Sequence, residues 1–428
     1  MIKNNNYSLK ISNFLIILLP LSLISGPFLS DLSVVLVDIF FLYCIFSEKN
    51  WKFFNKPIFI YLFLFCIFII IRSLSITSDN FLFSLKSSGP YFRFVVFAIA
   101  VSFFLEKSDK LLIKFSYSLL FAFIILLLDG YFQYITGHNI LGKALNNSDK
   151  LNIFLRDEGV LGSYLARLLP LLAGIIIFNI DYLKYKHLTA FFFSLLIILI
   201  MLSGSRSSTF ISGLFLVLLF IQIKELRVTF LIFSILVIGT LFFATGKSEK
   251  LKNSILFSIK DPINTILTPV NKTETSNQLY QKFSIFTPVY NSHYITAYKM
   301  FSENKIFGQG PNTYRKLCGD VRFNFNKFSC TTHPHNFYLQ LLAETGIIGF
   351  SMIFILFLGV VIKIIKNFFL IKKTTKKDKC LLLKQFILFG LFLNLWPIIP
   401  SGNFFGNWLN ILIYLPVGFY LYLDNKKN

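Results

Sequence analysis

Apolar runs of about 17 to 25 residues, the length that crosses a hydrocarbon core of about 30 Å, recur from one end of the chain to the other. Taken with the polar breaks between them, they predict spans at roughly 11–29, 31–47, 57–76, 89–105, 111–136, 159–180, 187–203, 207–223, 228–245, 345–365, 381–399 and 407–424. The expected fold is all-α, a polytopic integral membrane protein of about 12 transmembrane helices with a large, partly helical periplasmic loop. Residues 1–245 form an N-terminal bundle of about nine helices, 246–344 the loop, and 345–428 about three further helices. The first run, Ile11 to Leu29, is followed by no small-residue cleavage site, and the next begins at once, so it reads as a span and not as a signal peptide.

Loop charge orients these spans. Every second connection is rich in lysine: Ser47 to Pro57, Glu106 to Lys114, Asp181 to His187, Lys224 to Arg227, and Lys363 to Lys384 with its run KKTTKKDK. Both termini share that side. Short lysine-rich loops stay in the cytoplasm, so both termini are expected there, and the remaining connections face outward. The net charge of +22 is therefore a topology signal, and no nucleic-acid partner is implied. A hydrophobic content of 55% with 14% charged residues excludes a single water-soluble core.

The outward loop is too long for a passive link. Within it, HYITAYKMF carries Tyr294, Ala297, Tyr298 and Phe301 at helical spacing, and GQGPN, Gly308 to Asn312, reads as the terminator of that helix. Cys318 and Cys330 both lie in this loop. Three readings stay open for them: a disulfide closing a short loop, two free thiols, or a zinc set with His333 and His335. The single residue between those histidines departs from the usual spacing of a structural zinc site.

Abundant Phe, Ile, Asn and Lys make lysine the default cation, so the eight arginines are the informative ones. Only Arg227 falls firmly in a lysine-rich loop. An enzyme working on the outward face has no ATP or nucleotide sugars, so its activated donors arrive on lipid, typically as polyprenyl diphosphate sugars. Such a donor needs cations for the diphosphate, a base for the attacking hydroxyl, and a groove for the lipid. Arginine suits the first task through its planar fork of donors. Arg206, in LSGSRSSTF at a corner with almost no loop, is the foremost candidate, because a charge at membrane level is costly and the small residues around it let an anion reach the helix-start amides. Its bland alternative is snorkelling to the headgroups. Arg167 is expected to pair with Asp129 or Glu158 or to line the cavity. Arg156, beside two acids, either makes a local ion pair or binds substrate, and Arg315 is a candidate second clamp. Imidazole is the natural base near neutral pH. His335, directly before Asn336 and a span, is the candidate, with Glu344 one carboxylate able to orient it. Gly346 and Gly349 read as positions where backbones come close.

About twelve spans, a late outward loop, an SRS-type corner and the run HPHNFYLQLLAETGIIG resemble the O-antigen ligase and polymerase superfamily of bacterial membrane glycosyltransferases. The most specific part is His335–Asn336, a nine-residue spacer, then Gly346 and Gly349; KIFGQGPNTY, Lys305 to Tyr314, also looks like the family's upstream stretch. The resemblance implies metal-independent, inverting transfer of glycan from undecaprenyl diphosphate to the lipid A core or another glycan acceptor, with no cofactor and with membrane lipids around the chain. By position, His335 corresponds to the essential histidine and Arg206 to the membrane-level arginine, both catalytic, with His333 and Asn336 beside the substrate. Many members carry a further arginine where this chain has His293, so His293, Arg315 or Arg156 is expected to supply the second phosphate contact. Ligase, polymerase and protein oligosaccharyltransferase differ only in acceptor. Outside this class stand a lipid-linked sugar transporter, against which no paired broken helices are visible, and a noncatalytic scaffold.

Overall fold

The computed structural model describes residues 2–76, 80–144, 150–153, 160–245, 288–373 and 378–426. Among them 78% of the chain is helix and no strand occurs. The helices are α1 (Ile2–Ser25), α2 (Pro27–Glu48), α3 (Pro57–Leu74), α4 (Phe81–Ser88), α5 (Phe92–Lys107), α6 (Leu111–Thr136), α7 (Leu161–Asn179), α8 (Lys186–Leu202), α9 (Arg206–Gln222), α10 (Arg227–Thr245), α11 (Pro288–Glu303), α12 (Tyr314–Leu317), α13 (Phe337–Lys373), α14 (Lys379–Asn394) and α15 (Asn407–Asn425). Seven are long and apolar enough to cross a membrane by length and composition, counting α4 and α5 as one, and α8 and α9 are shorter apolar helices. The chain is an integral membrane protein. Ile60, Leu64, Ile67 and Ile71 on α3, and Ile355, Ile362 and Phe369 on α13, turn large apolar side chains outward, a surface that only lipid or another apolar partner satisfies.

At the centre stands α7, buried on nearly every side, with the guanidinium of Arg167 bonded to Ser163 and Asn394. It packs on α14 and α9, while α5 packs on α15 and α1 on α2 and α6. The first hairpin turns at Gly26, φ +140°, with Pro27 opening α2. Proline tolerates that first helical position because its missing N–H has no intrahelical acceptor there.

The two ends of the bundle differ in chemistry. At one, Lys107 pairs with Glu48 at 2.8 Å, Lys384 with Asp424 at 2.8 Å, and Lys56 hydrogen-bonds Asn425, so three of the lysine-rich segments meet. At the other, Arg72 at the far end of α3 donates to the carbonyls of Phe307 and Gly308 at 3.1 and 2.6 Å.

That second end is held by a kink. The helical backbone of α13 breaks at Gly346, φ +63° and ψ −165°, and the 305–310 backbone lies in the notch: Ile347 N–H donates to Lys305 O at 2.8 Å, Gln309 N–H to Ala343 O at 2.9 Å, and Gly310 N–H to Glu344 O at 2.8 Å. The fully buried Glu344 carboxylate accepts from Asn312 N–H and Tyr314 N–H, both at 2.9 Å, and from the Gln340 amide at 3.0 Å. Gln340 in turn donates to Asn403 and accepts from Phe404 N–H. Segments 305–314, 336–346 and 401–404 are thus one hydrogen-bonded unit. Cys318 and Cys330 are joined as a disulfide, which resolves the three readings in favour of the first and ties α12 to the stretch before His333. The helix expected from HYITAYKMF is α11, and it ends before the run of positive φ angles at Gly308, Gly310 and Asn312.

Candidate active site

His335 sits between Pro334 and the start of α13 with φ +58°, a left-handed backbone uncommon outside glycine. Bonds on both sides hold it there. Asn336 caps α13, its Oδ1 accepting from Tyr338 N–H and Leu339 N–H at 3.0 Å each, while its amide donates to Pro397 O at 2.7 Å. Ser401 N–H donates to His335 O at 2.7 Å, and Ser401 Oγ accepts from Phe337 N–H at 2.8 Å. Asn336, expected beside the substrate, spends its amide on the backbone that positions the histidine.

Three imidazoles gather at this point. Ring centroids of His333 and His335 are 4.3 Å apart, those of His293 and His335 5.3 Å, and Tyr290 stands edge-on to His335 at 5.4 Å. His333 Nε2–H donates to Ser401 O at 3.2 Å, which leaves Nδ1 to accept from the Thr332 hydroxyl at 2.9 Å; both of its nitrogens are engaged. Among the described residues neither nitrogen of His335 makes a hydrogen bond. Its ring is therefore the one whose lone pair is open to a substrate.

Burial disfavours the charged form of all three rings. It pushes His335 down to about 3, and the neighbouring His333, His293 and Lys150 push the same way. His333 falls to about 4, by burial first, against the bond to Ser401 and with help from Arg315 and His293. His293 is lowered by burial, opposed by a backbone hydrogen bond at Phe328.

The cations come from separate elements. Arg206 opens α9 immediately after Ser205, whose side chain makes no capping bond to the first-turn amides. Its positive charge acts on the Tyr290 hydroxyl, lowering a pKa that burial raises, so the start of α9 lies within electrostatic reach of the start of α11. Lys150 acts on His335 itself, and the next residue explains how: Leu151 N–H donates to Ser203 O at 3.3 Å, fastening this segment to the same corner. Arg315 donates through Nε to Thr332 O at 3.2 Å and acts on His333. The other arginines have local work. Arg93 pairs with Asp31 at 2.7 Å and Arg322 with Asp320 and Glu303 at 2.7 Å each. Arg167 meets neither Asp129, whose Oδ1 accepts from Ile140 N–H, nor any other described carboxylate; it donates to Asn394 Oδ1 at 2.7 Å and to Ser163 Oγ at 3.2 Å. Arg156 and Glu158 lie outside the described residues. Glu344 is turned to Asn312, Tyr314 and Gln340 and does not orient His335.

Sequence reasoning passed over Tyr290, Lys150 and Ser401. Tyr290 carried a usable signal, one helical turn before His293 and so on the same face. Lys150 carried none, being one lysine among many. Residues 191–354 match the family model described as O-antigen ligase, a stretch running from within α8 to within α13. No curated protein matches the chain.

Proposed function

We propose that the protein, whose residues 191–354 match the O-antigen ligase family model, is a glycosyltransferase moving glycan from undecaprenyl diphosphate to a hydroxyl of the lipid A core, with inversion and without a metal. The observation that supports this reading is an unengaged His335 packed against His333, His293 and Tyr290, with Lys150 acting on His335, Arg315 on His333 and Arg206 on Tyr290. The reading takes α1–α3, α5–α10 and α13–α15 as about twelve crossings, with both termini cytoplasmic and the histidines periplasmic. The meeting of lysine-rich segments at the end far from His335 supports that orientation.

In the proposed step His335 takes the proton of the acceptor hydroxyl as that oxygen bonds to the anomeric carbon. The bond from that carbon to the diphosphate breaks, and its electron pair leaves on the diphosphate oxygen. Arg206, Lys150 and the first-turn amides of α9 stabilise the departing charge, with Arg315 or His293 as the second phosphate contact. Asn336 and His333 position His335 through Pro397 and Ser401.

The depressed pKa makes a prediction with a definite sign. A base works in its neutral form and fails as pH falls through its pKa; in the free enzyme that point is near 3, and a bound diphosphate raises it by bringing negative charge to the ring. The acidic limb of kcat/KM, which reports the free enzyme, is expected below about pH 5, and the limb of kcat at higher pH. An acidic limb of kcat/KM near the ordinary histidine value would show that the ring is not held as described.

The reading is tested with purified protein, a lipid-linked oligosaccharide and a lipid A core acceptor. Glycan on the core supports it. Longer glycans left on the carrier would mean a polymerase, glycan on protein an oligosaccharyltransferase, and movement of the donor across a vesicle without transfer a transporter.

A further inference from the structure

Away from the histidines, a cavity of about 610 Å³ opens between α3, α13, α14 and α15, a volume within the range of about 300 to 1,000 Å³ typical of ligand sites. Most of its wall is apolar, including Ile58, Leu62, Leu356, Val360, Leu388 and Val417. One end is not. Lys56 and Lys363 line it there, Lys363 Nζ donating to the Tyr420 hydroxyl at 3.0 Å and Lys56 Nζ to the Asn425 amide oxygen. Asp424, the one acid among the described lining residues, is already paired at 2.8 Å with Lys384, which is buried. At this polar end Lys56, Lys363 and Lys384 outnumber the acids that act on them, Asp424 and Glu106.

We propose that this cavity binds an anionic phospholipid of the inner leaflet, its phosphate against Lys56 and Lys363 and its acyl chains along α3, α13 and α15. The charge distribution selects this occupant. An apolar slot alone would accept any lipid tail, but a tail needs no cations, and the two lysines supply a site for a phosphate at the level where phospholipid headgroups lie. The polyprenyl donor fits less well, because its diphosphate belongs with Arg206 and His335. Those residues lie at the opposite end of the bundle: α3 starts next to Lys56 and carries Arg72 in its last turn, and α15 follows the Ser401–Phe405 segment and carries Asp424 near its far end. The inference needs the chain to lie in a membrane in the orientation given above and is independent of glycan transfer, so binding is measured with no glycan present.

The full chain in a neutral detergent is titrated with dioleoyl phosphatidylglycerol or with dioleoyl phosphatidylcholine, and retained lipid is counted by native mass spectrometry. Phosphatidylglycerol is expected to bind about tenfold more tightly. The double variant Lys56→Gln/Lys363→Gln should bring the two lipids level, and Leu356→Trp, which fills the slot while keeping both lysines, should weaken both. Should the double variant fail to fold, the tryptophan variant still decides. Equal binding of the two lipids to the native chain overturns the proposal, as does competition by glycerol phosphate at the same concentration as the lipid, which would reveal an anion site only. Displacement of phosphatidylglycerol by a lower concentration of undecaprenyl phosphate would assign the cavity to the donor and overturn it equally.

Discussion

His335→Ala is expected to lower kcat for glycan transfer by about 10²- to 10⁴-fold, the usual worth of a positioned base. The size follows from the division of labour among the three rings. His333 has both nitrogens engaged by Ser401 and Thr332, and His293 has one nitrogen at Phe328 and its other, Nδ1, buried out of reach of solvent, so neither is placed to take over the proton. Alanine is strained at φ +58°, and a loss of activity could then report a shifted loop. His335→Asn separates the two effects: asparagine visits the left-handed region readily and has no basic nitrogen. It should melt with the native protein and be as inactive as the alanine variant. Arg206→Ala should cost about 10²- to 10³-fold by removing charge stabilisation, and Arg206→Lys should restore little, because an ammonium lacks the planar fork. Undiminished transfer by His335→Asn would end the assignment of the base.

Gly346→Ala should be the most destabilising single substitution in α13. The φ and ψ there, +63° and −165°, lie in a region essentially reserved for glycine, and occupying it with a side chain costs about 1 to 3 kcal/mol. A Cβ would also stand 2.2 Å from Ile306 O and 2.4 Å from Ile306 C. Those are backbone atoms, pinned by the bonds at Ile347, Gln309 and Gly310, so the notch cannot yield without releasing the 305–310 segment; overpacking of this kind adds about 1 to 3 kcal/mol. Gly359→Ala, on the same helix with no atom within 4 Å of a new Cβ, is the matched control and should melt like the native chain. Indistinguishable melting of the two variants would mean that the kink does not hold the loop.

Much of the frame was legible because membrane helices announce themselves by length and apolarity. The span predicted at 111–136 coincides with α6, and those predicted at 187–203 and 207–223 fall one residue from α8 and α9. Errors cluster at helix ends, which turn and cap residues set and apolar content does not. The first break is at Gly26–Pro27 and not near residue 30; α13 begins at Phe337 and not at 345, because Asn336 caps it. The stretch TSDNFLFSLKSSG, read as a loop, contains α4, whose Ser84 and Ser88 hydroxyls both bond Ser73. In the site, residue types pointed to His335 and Arg206, and helical spacing would have added Tyr290. Ser401 was beyond reach: its bonds to 333, 335 and 337 cross more than sixty residues, and no local pattern encodes them. Gly346 was read as a close backbone approach, and what sequence could not supply was the partner, a strand of backbone at Ile306 and not another helix.

The bonds from Ser401 set a schedule for synthesis. A nascent chain that has reached α13 already carries His293, His333, His335, Arg206 and Arg315, yet the residue that fixes the backbone of one imidazole and the tautomer of another is still to be translated. Until the turn between α14 and α15 has docked, these side chains are present without the bonds that fix His333 and His335.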